Sequence, residues 1–98
     1  MSDAPPPRIL SIAGSDSSGG AGIQADIKTI TMLGGYAMTA LTAITAQNTR
    51  GVQGVEALPP HFVLDQVASC LSDIGADAIK IGMLGSPETA RLLAERLD

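Results

Sequence analysis

The residues of this chain best suited to binding a ligand lie between Gly14 and Gly22, in the stretch Gly-Ser-Asp-Ser-Ser-Gly-Gly-Ala-Gly. Its glycines let the backbone adopt positive φ and approach a ligand closely, because glycine has no Cβ atom. Three serines and Asp16 add polar side chains. A mainly apolar run over residues 9–13 precedes the stretch and a helical pattern follows it, which predicts a turn from a buried strand into a helix. The free N–H groups at the start of such a helix attract polar or anionic groups.

The known nucleotide-binding loops fit this stretch badly. It lacks the Gly-Lys-Ser/Thr ending of a Walker loop, and its glycines do not follow the dinucleotide-binding spacing with an acidic residue about twenty positions further on. A purely structural turn is the alternative, since glycine also occurs where a helix packs tightly on a strand. The loop alone therefore predicts either a ligand site of another kind or a tight strand-to-helix connection.

Gln47 and Met83 are predicted to lie near this loop. Gln47 follows the second predicted strand, and in open parallel sheets ligands bind beyond the carboxyl ends of the strands. Its planar amide offers one donor group and one acceptor, which suits the adjacent ring nitrogen and exocyclic amine of a heterocycle. The alternative is a cap or turn residue. Met83, at the end of the third predicted strand, would supply a soft apolar wall.

Asp26 falls inside the apolar arc of the first predicted helix. It lies beyond the first turn, so it is outside the part of the helix in which the dipole would stabilise a negative charge. A buried carboxylate needs a partner, so Asp26 is expected to meet either a protein donor or a ligand pocket. Lys80, among apolar residues of the third predicted strand, is interpreted either as part of an ion pair or as functional. Cys70 is predicted to be an ordinary core residue and His61 a surface residue.

The elements that must position these residues alternate between strand and helix, which is typical of α/β proteins. Buried strands are predicted over residues 9–13, 37–46 and 78–83, an exposed ribbon over 52–58, and helices over 20–33, 60–74 and from Pro87 onward. The first helix would bury Ile23, Ile27, Ile30 and Leu33, and the second strand would bury Ile44. Residues 1–8, with three consecutive prolines, are predicted to be a disordered or extended lead-in to a domain over 9–98.

The composition argues against several classes of function. A net charge of −4 with six Lys and Arg residues disfavours a nucleic-acid or anionic-membrane surface. One cysteine and one histidine rule out an internal disulfide and disfavour a structural metal site. Without a signal-peptide pattern or an apolar run of about 18 residues, a cytoplasmic protein with small-molecule or protein partners is expected. Charged residues make up only 16 %, which suggests that something outside this chain covers part of its apolar surface.

Three ordered motifs closely resemble the amino-terminal part of the bacterial hydroxymethylpyrimidine/phosphomethylpyrimidine kinase family: IAGSDSSGGAGIQAD at 12–26, TAQNT at 45–49 and KIGML at 80–84. The resemblance extends over residues 9–97. It implies a ribokinase-like fold, a partial doubly wound and mostly parallel sheet with flanking helices. It also implies a phosphotransferase of thiamine biosynthesis that uses ATP and Mg²⁺ to phosphorylate 4-amino-5-hydroxymethyl-2-methylpyrimidine and then its monophosphate.

By position in these motifs, the resemblance implies that the pyrimidine pocket is lined by Gly14, Ala21, Asp26, Gln47 and Met83, with the Gln47 amide reading the base. The exposed ribbon would correspond to the family's lid and dimer contact, so a homodimer is expected. The family's Gly-Thr-Gly-Cys turn, which anchors phosphate and supplies the catalytic group, has no counterpart here, and Cys70 does not match it. The chain is therefore expected to be an amino-terminal fragment that contains no catalytic residue and is inactive alone.

Three other functions stay open from the sequence. A pyridoxal kinase would have a similar fold, although Gln47 and the Gln-Asn-Thr turn favour the aminopyrimidine. A non-catalytic module that only binds a pyrimidine would need the same pocket. A dinucleotide-binding half-domain is disfavoured, because Gln47 stands where an acidic ribose ligand would be needed.

Overall fold

The computed structural model describes residues 4–97 and confirms the α/β fold class. Its elements in chain order are β1 (Arg8–Ser15), α1 (Gly22–Met32), β2 (Tyr36–Asn48), β3 (Gly51–Ala57), α2 (Pro60–Asp73), β4 (Ala78–Ile81) and α3 (Pro87–Leu97). Residues 4–7 form neither helix nor strand, while β1 begins inside the predicted lead-in. Residues 1–3 of that lead-in lie outside the described residues.

The four strands form one sheet in the order β3-β2-β1-β4. β1 pairs in parallel with both β2 and β4, whereas β3 pairs with β2 in antiparallel fashion. Parallel neighbours require crossover connections, which α1 and the segment containing α2 provide. The carboxyl ends of β1, β2 and β4 therefore meet at one edge of the sheet, as the sequence predicted for the loop after β1.

The main core lies on one face of the sheet. Leu10 and Ile12 of β1 pack with Met38 and Ala40 of β2 under Val63, Val67 and Leu93 from α2 and α3. Successive side chains of a strand point to opposite faces, so Ser11 lies on the other face, where its hydroxyl contacts α1. Helices thus cover both faces of the sheet. Cys70 is half-buried against this core, consistent with its prediction as a core residue.

Several predicted burials are wrong for the described residues. β4 was predicted to be a buried strand ending at Met83, but it ends at Ile81 and its four residues are exposed, because it is the outermost strand of the sheet. Of the four residues that the first helix was predicted to bury, Ile23 and Ile30 are buried, but Ile27 is 38 % exposed and Leu33, which lies beyond the end of α1 at Met32, is 82 % exposed. Ile44 is 49 % exposed because a register shift after Ala13 places one extra residue in β2 and reverses the facing of the side chains beyond it.

A salt bridge between Arg8 and Asp77 connects the amino-terminal ends of β1 and β4. The Asp77 carboxylate accepts from the Arg8 backbone N–H at 2.8 Å and from the guanidinium at 3.2 and 3.0 Å. The Arg8 guanidinium also donates to the carbonyl of Ile74, and the Asp77 N–H donates to the Arg8 carbonyl at 2.7 Å. The side-chain and backbone hydrogen bonds from Arg8 lower the pKa of Asp77 to about 2.

This pair predicts an acid-dependent loss of stability. Because the folded-state pKa of Asp77 lies below its ordinary value, its stabilising contribution is complete above that value and is lost as pH falls through about 2. Thermal unfolding followed from pH 5 to pH 2 should therefore show a shallower decline for Asp77→Asn than for the wild type. Asp65→Asn, at an exposed site on α2 with no ion pair among the described residues, should retain the wild-type slope.

No helix within residues 4–97 is long and apolar enough to cross a bilayer.

Candidate ligand site at the carboxyl ends of the strands

A cavity of about 330 Å³ opens where β1, β2 and β4 end. Its lining includes Gly14 and Ala21 from the loop after β1, Gln47 from the end of β2 and Met83 after β4, four of the five predicted binding residues. The lining also includes Asp16, Thr45 and Lys80. The volume falls within the range of about 300–1,000 Å³ that small-molecule sites occupy. The sheet edge thus holds a concave site with an apolar wall and several polar groups.

Asp16 organises the loop that forms one side of this cavity. One carboxylate oxygen accepts from the Ser18 N–H at 2.9 Å and the Ser18 hydroxyl at 2.8 Å. The other accepts from the N–H groups of Gly20 and Ala21 at 2.9 and 2.8 Å. Asp16 is only 4 % exposed, and the hydrogen bond from the Ser18 hydroxyl is the main cause that holds its pKa below the ordinary value. The N–H donors just before α1, which the sequence suggested for a ligand, are therefore used by the loop itself.

The glycines of the loop have different roles. Gly19 and Gly22 adopt φ of +85° and +59°, whereas Gly14 has no positive φ and lies against the Met83 side chain. A Cβ atom on Gly14 would lie 2.5 Å from the terminal methyl of Met83. A Cβ atom on Gly22 would lie 2.3 Å from the carbonyl oxygen of Gly14, which is a backbone atom. The loop geometry therefore depends on Gly22 lacking a side chain, whereas the flexible end of Met83 can move aside for a Cβ atom at Gly14.

Two residues of α1 hydrogen-bond to the loop. The Gln24 amide accepts from the Asp16 N–H at 2.8 Å and donates to the Ser15 hydroxyl at 2.7 Å. The Lys28 ammonium donates to the Gly19 carbonyl at 2.7 Å. The sequence analysis did not identify either contact, although a glutamine two residues after the last loop glycine could have suggested one. The loop is thus held by its own carboxylate and by the helix that follows it.

Gln47 is fixed to the loop through its backbone and its side chain. Its N–H donates to the Ser17 hydroxyl oxygen at 2.8 Å, and that hydroxyl donates to the Gln47 carbonyl at 2.8 Å. The Thr45 hydroxyl oxygen lies 2.8 Å from the Ser15 carbonyl oxygen and 3.1 Å from the Gln47 amide oxygen. Gln47 is the second-last residue of β2, not a residue beyond the strand as predicted. Thr45, which is buried and lines the cavity, was missed as a site residue.

Asp26 lies beside the cavity and not in its wall. Its carboxylate accepts from the Lys80 ammonium at 2.8 Å and from the Ser11 hydroxyl at 2.6 Å. Burial acts to raise the pKa of Asp26, but these hydrogen bonds outweigh it and the pKa is lowered. Of the two partners expected for this carboxylate, the structure supplies protein donors. Lys80 both forms this ion pair and lines the cavity, so it connects Asp26 to the site.

The donor set does not fit a resident metal ion. Within residues 4–97 no group of three His, Cys, Asp or Glu side chains lies close enough to hold one. The two carboxylates nearest the cavity already accept hydrogen bonds on both oxygens, Asp16 from the loop and Asp26 from Ser11 and Lys80. What this cavity can do chemically is bind and orient a small polar ring through the Gln47 amide and the Met83 side chain.

Residues 16–98 match the family model described as phosphomethylpyrimidine kinase. The chain is 57 % identical over 96 residues to the thiamine biosynthesis bifunctional protein ThiED of Geobacter sulfurreducens, an alignment that covers 96 % of this chain and 20 % of that protein. The chain is 52 % identical to the hydroxymethylpyrimidine/phosphomethylpyrimidine kinase of Mycobacterium leprae, over 94 % of this chain and 35 % of that protein. The chain thus spans about a fifth to a third of these relatives.

The fold is also similar to solved structures of kinases. The crystal structure of phosphomethylpyrimidine kinase from Clostridium difficile superposes with a TM-score of 0.89 at 52 % identity, covering 93 % of this chain and 39 % of that one. The structure of pyridoxal kinase from Staphylococcus aureus in complex with AMP-PCP and pyridoxal gives a TM-score of 0.81 at 45 % identity, covering 92 % of this chain and 34 % of that one. These neighbours confirm the ribokinase-like architecture.

Proposed function

The chain belongs to the phosphomethylpyrimidine kinase family, and on that premise we propose that its cavity binds the pyrimidine substrate of a hydroxymethylpyrimidine/phosphomethylpyrimidine kinase. The convergence of Gly14, Ala21, Gln47 and Met83 on one cavity is the observation that carries the proposal. Gln47 hydrogen-bonds an edge of the ring, and Met83 packs against a face or edge of it. Asp26 contributes through Lys80, which extends from its carboxylate to the cavity.

The reaction itself is proposed for the complete protein, of which this chain represents the pyrimidine-binding part. ATP is the proposed phosphoryl donor, because AMP-PCP, an ATP analogue, is bound in the related pyridoxal kinase of Staphylococcus aureus. Mg²⁺ is the proposed counter-ion of its phosphates, since phosphoryl transfer relies on charge stabilisation by metal ions. A cytoplasmic homodimer is proposed together with this activity.

Replacing Gln47 tests the proposal directly. Gln47→Leu keeps the approximate size of the side chain and removes both polar ends, so pyrimidine binding should weaken by about 1–3 kcal/mol while ATP binding is retained. Isothermal titration of the complete protein with 4-amino-5-hydroxymethyl-2-methylpyrimidine, and separately with ATP, measures both affinities. Asp65→Asn is the control, because Asp65 lies at an exposed site on α2 and is not among the residues that line the cavity. Equal pyrimidine affinity in the wild type and Gln47→Leu would remove this residue from the site.

Pyridoxal phosphorylation is the second candidate function, supported by the TM-score of 0.81 with a pyridoxal-bound kinase. A pyridine ring could occupy the same cavity, and the Gln47 amide would again contact its edge. Titrations with pyridoxal beside the aminopyrimidine separate the two functions. A lower dissociation constant for pyridoxal would favour the second candidate.

A further inference from the structure

We propose that Thr42 is a positioning residue that holds Met83 in the wall of the cavity. Met83 lies in a segment after β4 that forms neither helix nor strand. Its side chain lines the cavity, and the residue is 47 % exposed. A methionine side chain is unbranched and flexible, so the place of its backbone decides which part of the cavity it can reach. The group that anchors the Met83 backbone therefore bears on the contact with a bound ring.

That anchor is the Thr42 hydroxyl. It donates to the Met83 carbonyl at 2.6 Å, and Thr42 is fully buried in β2. The strands β2 and β4 are not neighbours, because β1 lies between them in the sheet. The hydrogen bond therefore crosses the end of β1 and fastens the segment after β4 to a strand with which β4 does not pair.

An irregularity of β2 lies at Thr42. Between Ala13 and Ser15 of β1, β2 contributes one residue more than β1 does, which makes the pairing a bulge. Bulges re-aim side chains and are frequent beside active sites. The Thr42 carbonyl accepts from the Leu58 N–H at 2.9 Å, so the strand is held here from its other side as well. The hydroxyl is thus presented from a backbone that is itself fixed.

Two glycines let the chain around Met83 lie close to the sheet. A Cβ atom on Gly82 would lie 2.9 Å from the Cβ of Ala13. Gly85 has φ of +83°, and a Cβ atom there would lie 3.1 Å from the Thr42 carbonyl oxygen. The segment that carries Met83 therefore packs directly against β1 and β2, which brings the Met83 carbonyl within reach of the Thr42 hydroxyl.

Thr42 acts on the site through Met83. Thr42 is not among the residues that line the cavity, whereas Met83 is. A change at Thr42 is therefore expected to reach a ligand by moving the Met83 side chain. The inference rests on the proposed function, in which Met83 packs against the ring, and it adds the residue that decides where this part of the wall stands.

The test is a double-mutant cycle on the complete protein, titrated with 4-amino-5-hydroxymethyl-2-methylpyrimidine. Thr42→Val removes the hydroxyl and puts a methyl group against the Met83 carbonyl, so Met83 moves and pyrimidine affinity should fall about fivefold. Met83→Ala removes the contact itself and should lower the affinity about tenfold. In the Met83→Ala background, Thr42→Val should cause no further loss, because the side chain through which it acts is gone. Thr42→Ser keeps the hydroxyl and should retain the wild-type affinity.

Matched controls separate positioning from a general loss of structure. Thr39→Val makes the same change in the same strand, but Thr39 lines a depression against α2 and should leave pyrimidine affinity unchanged. ATP affinity should be equal in all variants. Melting temperatures show whether each variant folds. If Thr42→Val does not fold, Thr42→Ala replaces it with the same expected result, since it removes the hydroxyl without placing a methyl group against the carbonyl.

Three outcomes would contradict these expectations in different ways. Wild-type pyrimidine affinity in Thr42→Val, or an equal loss with and without the Met83 side chain, would overturn the inference and leave the pyrimidine site intact. Wild-type affinity in Met83→Ala would remove Met83 from the site and overturn the inference, but not the role of Gln47. Failure of the wild type to bind the pyrimidine would overturn the proposed function itself.

Discussion

Gly22→Ala is expected to lower the free energy of unfolding by about 2–4 kcal/mol and to abolish measurable pyrimidine binding. Gly22 has φ of +59°, which costs any residue with a Cβ atom roughly 1–2 kcal/mol. The added methyl would also lie 2.3 Å from the Gly14 carbonyl oxygen. Since that neighbour is backbone, the collision is relieved only by moving the start of α1 away from the end of β1. The loop between them forms one side of the cavity.

Two other glycines separate the causes of this effect. Gly34 has φ of +88° but nothing lies within 4 Å of its added Cβ, so Gly34→Ala shows the backbone cost alone. Gly20 lies in the same loop without positive φ, and its added Cβ would meet only Asp16 at 3.8 Å, an ordinary contact. Chemical denaturation should rank Gly22→Ala as the most destabilised of the three. A Gly22→Ala protein as stable as Gly34→Ala would contradict the predicted collision with Gly14.

The sequence predicted which residues meet at this edge of the sheet mainly because the topology of parallel strands does not depend on details of packing. Once β1 and β2 are parallel neighbours, the Gly14–Gly22 loop and Gln47 must meet at one edge of the sheet. The strand and helix periodicities were sufficient for that step. The cavity walls formed by Gly14, Gln47 and Met83 follow from the same topology.

The sequence could not predict which polar groups satisfy one another. Asp16 was identified as a polar residue of the loop, but the sequence did not show that its carboxylate accepts four hydrogen bonds. That arrangement depends on the positive φ of Gly19, which hydrophobic periodicity does not encode. Nothing in the sequence distinguishes Thr45 from the other threonines of β2, because its contacts with Ser15 and Gln47 depend on the positions of three side chains and backbone groups in the folded structure. The exposure of Ile44 follows from an irregular register, which shifts the alternation used to predict its burial.

The loop's dependence on one carboxylate leads to the second prediction with a large effect. Asp16→Asn preserves size and shape but replaces one acceptor oxygen with an NH₂ group, which would then face N–H donors of the loop. Two donors cannot pair, so either the contacts of Ser18 or those of Gly20 and Ala21 are lost. We expect pyrimidine binding by the complete protein to weaken roughly ten- to hundredfold, because the ring then meets a cavity wall that is no longer held in place. Isothermal titration with the aminopyrimidine measures this change.

Ser18→Ala is the graded control, since it removes only the hydroxyl contact to Asp16 and leaves three backbone hydrogen bonds on the carboxylate. The Ser18 hydroxyl is also the main cause that lowers the pKa of Asp16. Because that pKa is lowered by folding, the carboxylate stabilises the loop above the ordinary carboxyl range, and the effect is lost as pH falls below it. Pyrimidine affinity of the wild type should therefore decline in acid, Ser18→Ala should begin this decline at higher pH, and Asp16→Asn should lack it. An Asp16→Asn protein with wild-type affinity at neutral pH would show that the loop keeps its shape without the charge, and that α1 residues such as Gln24 suffice to hold it.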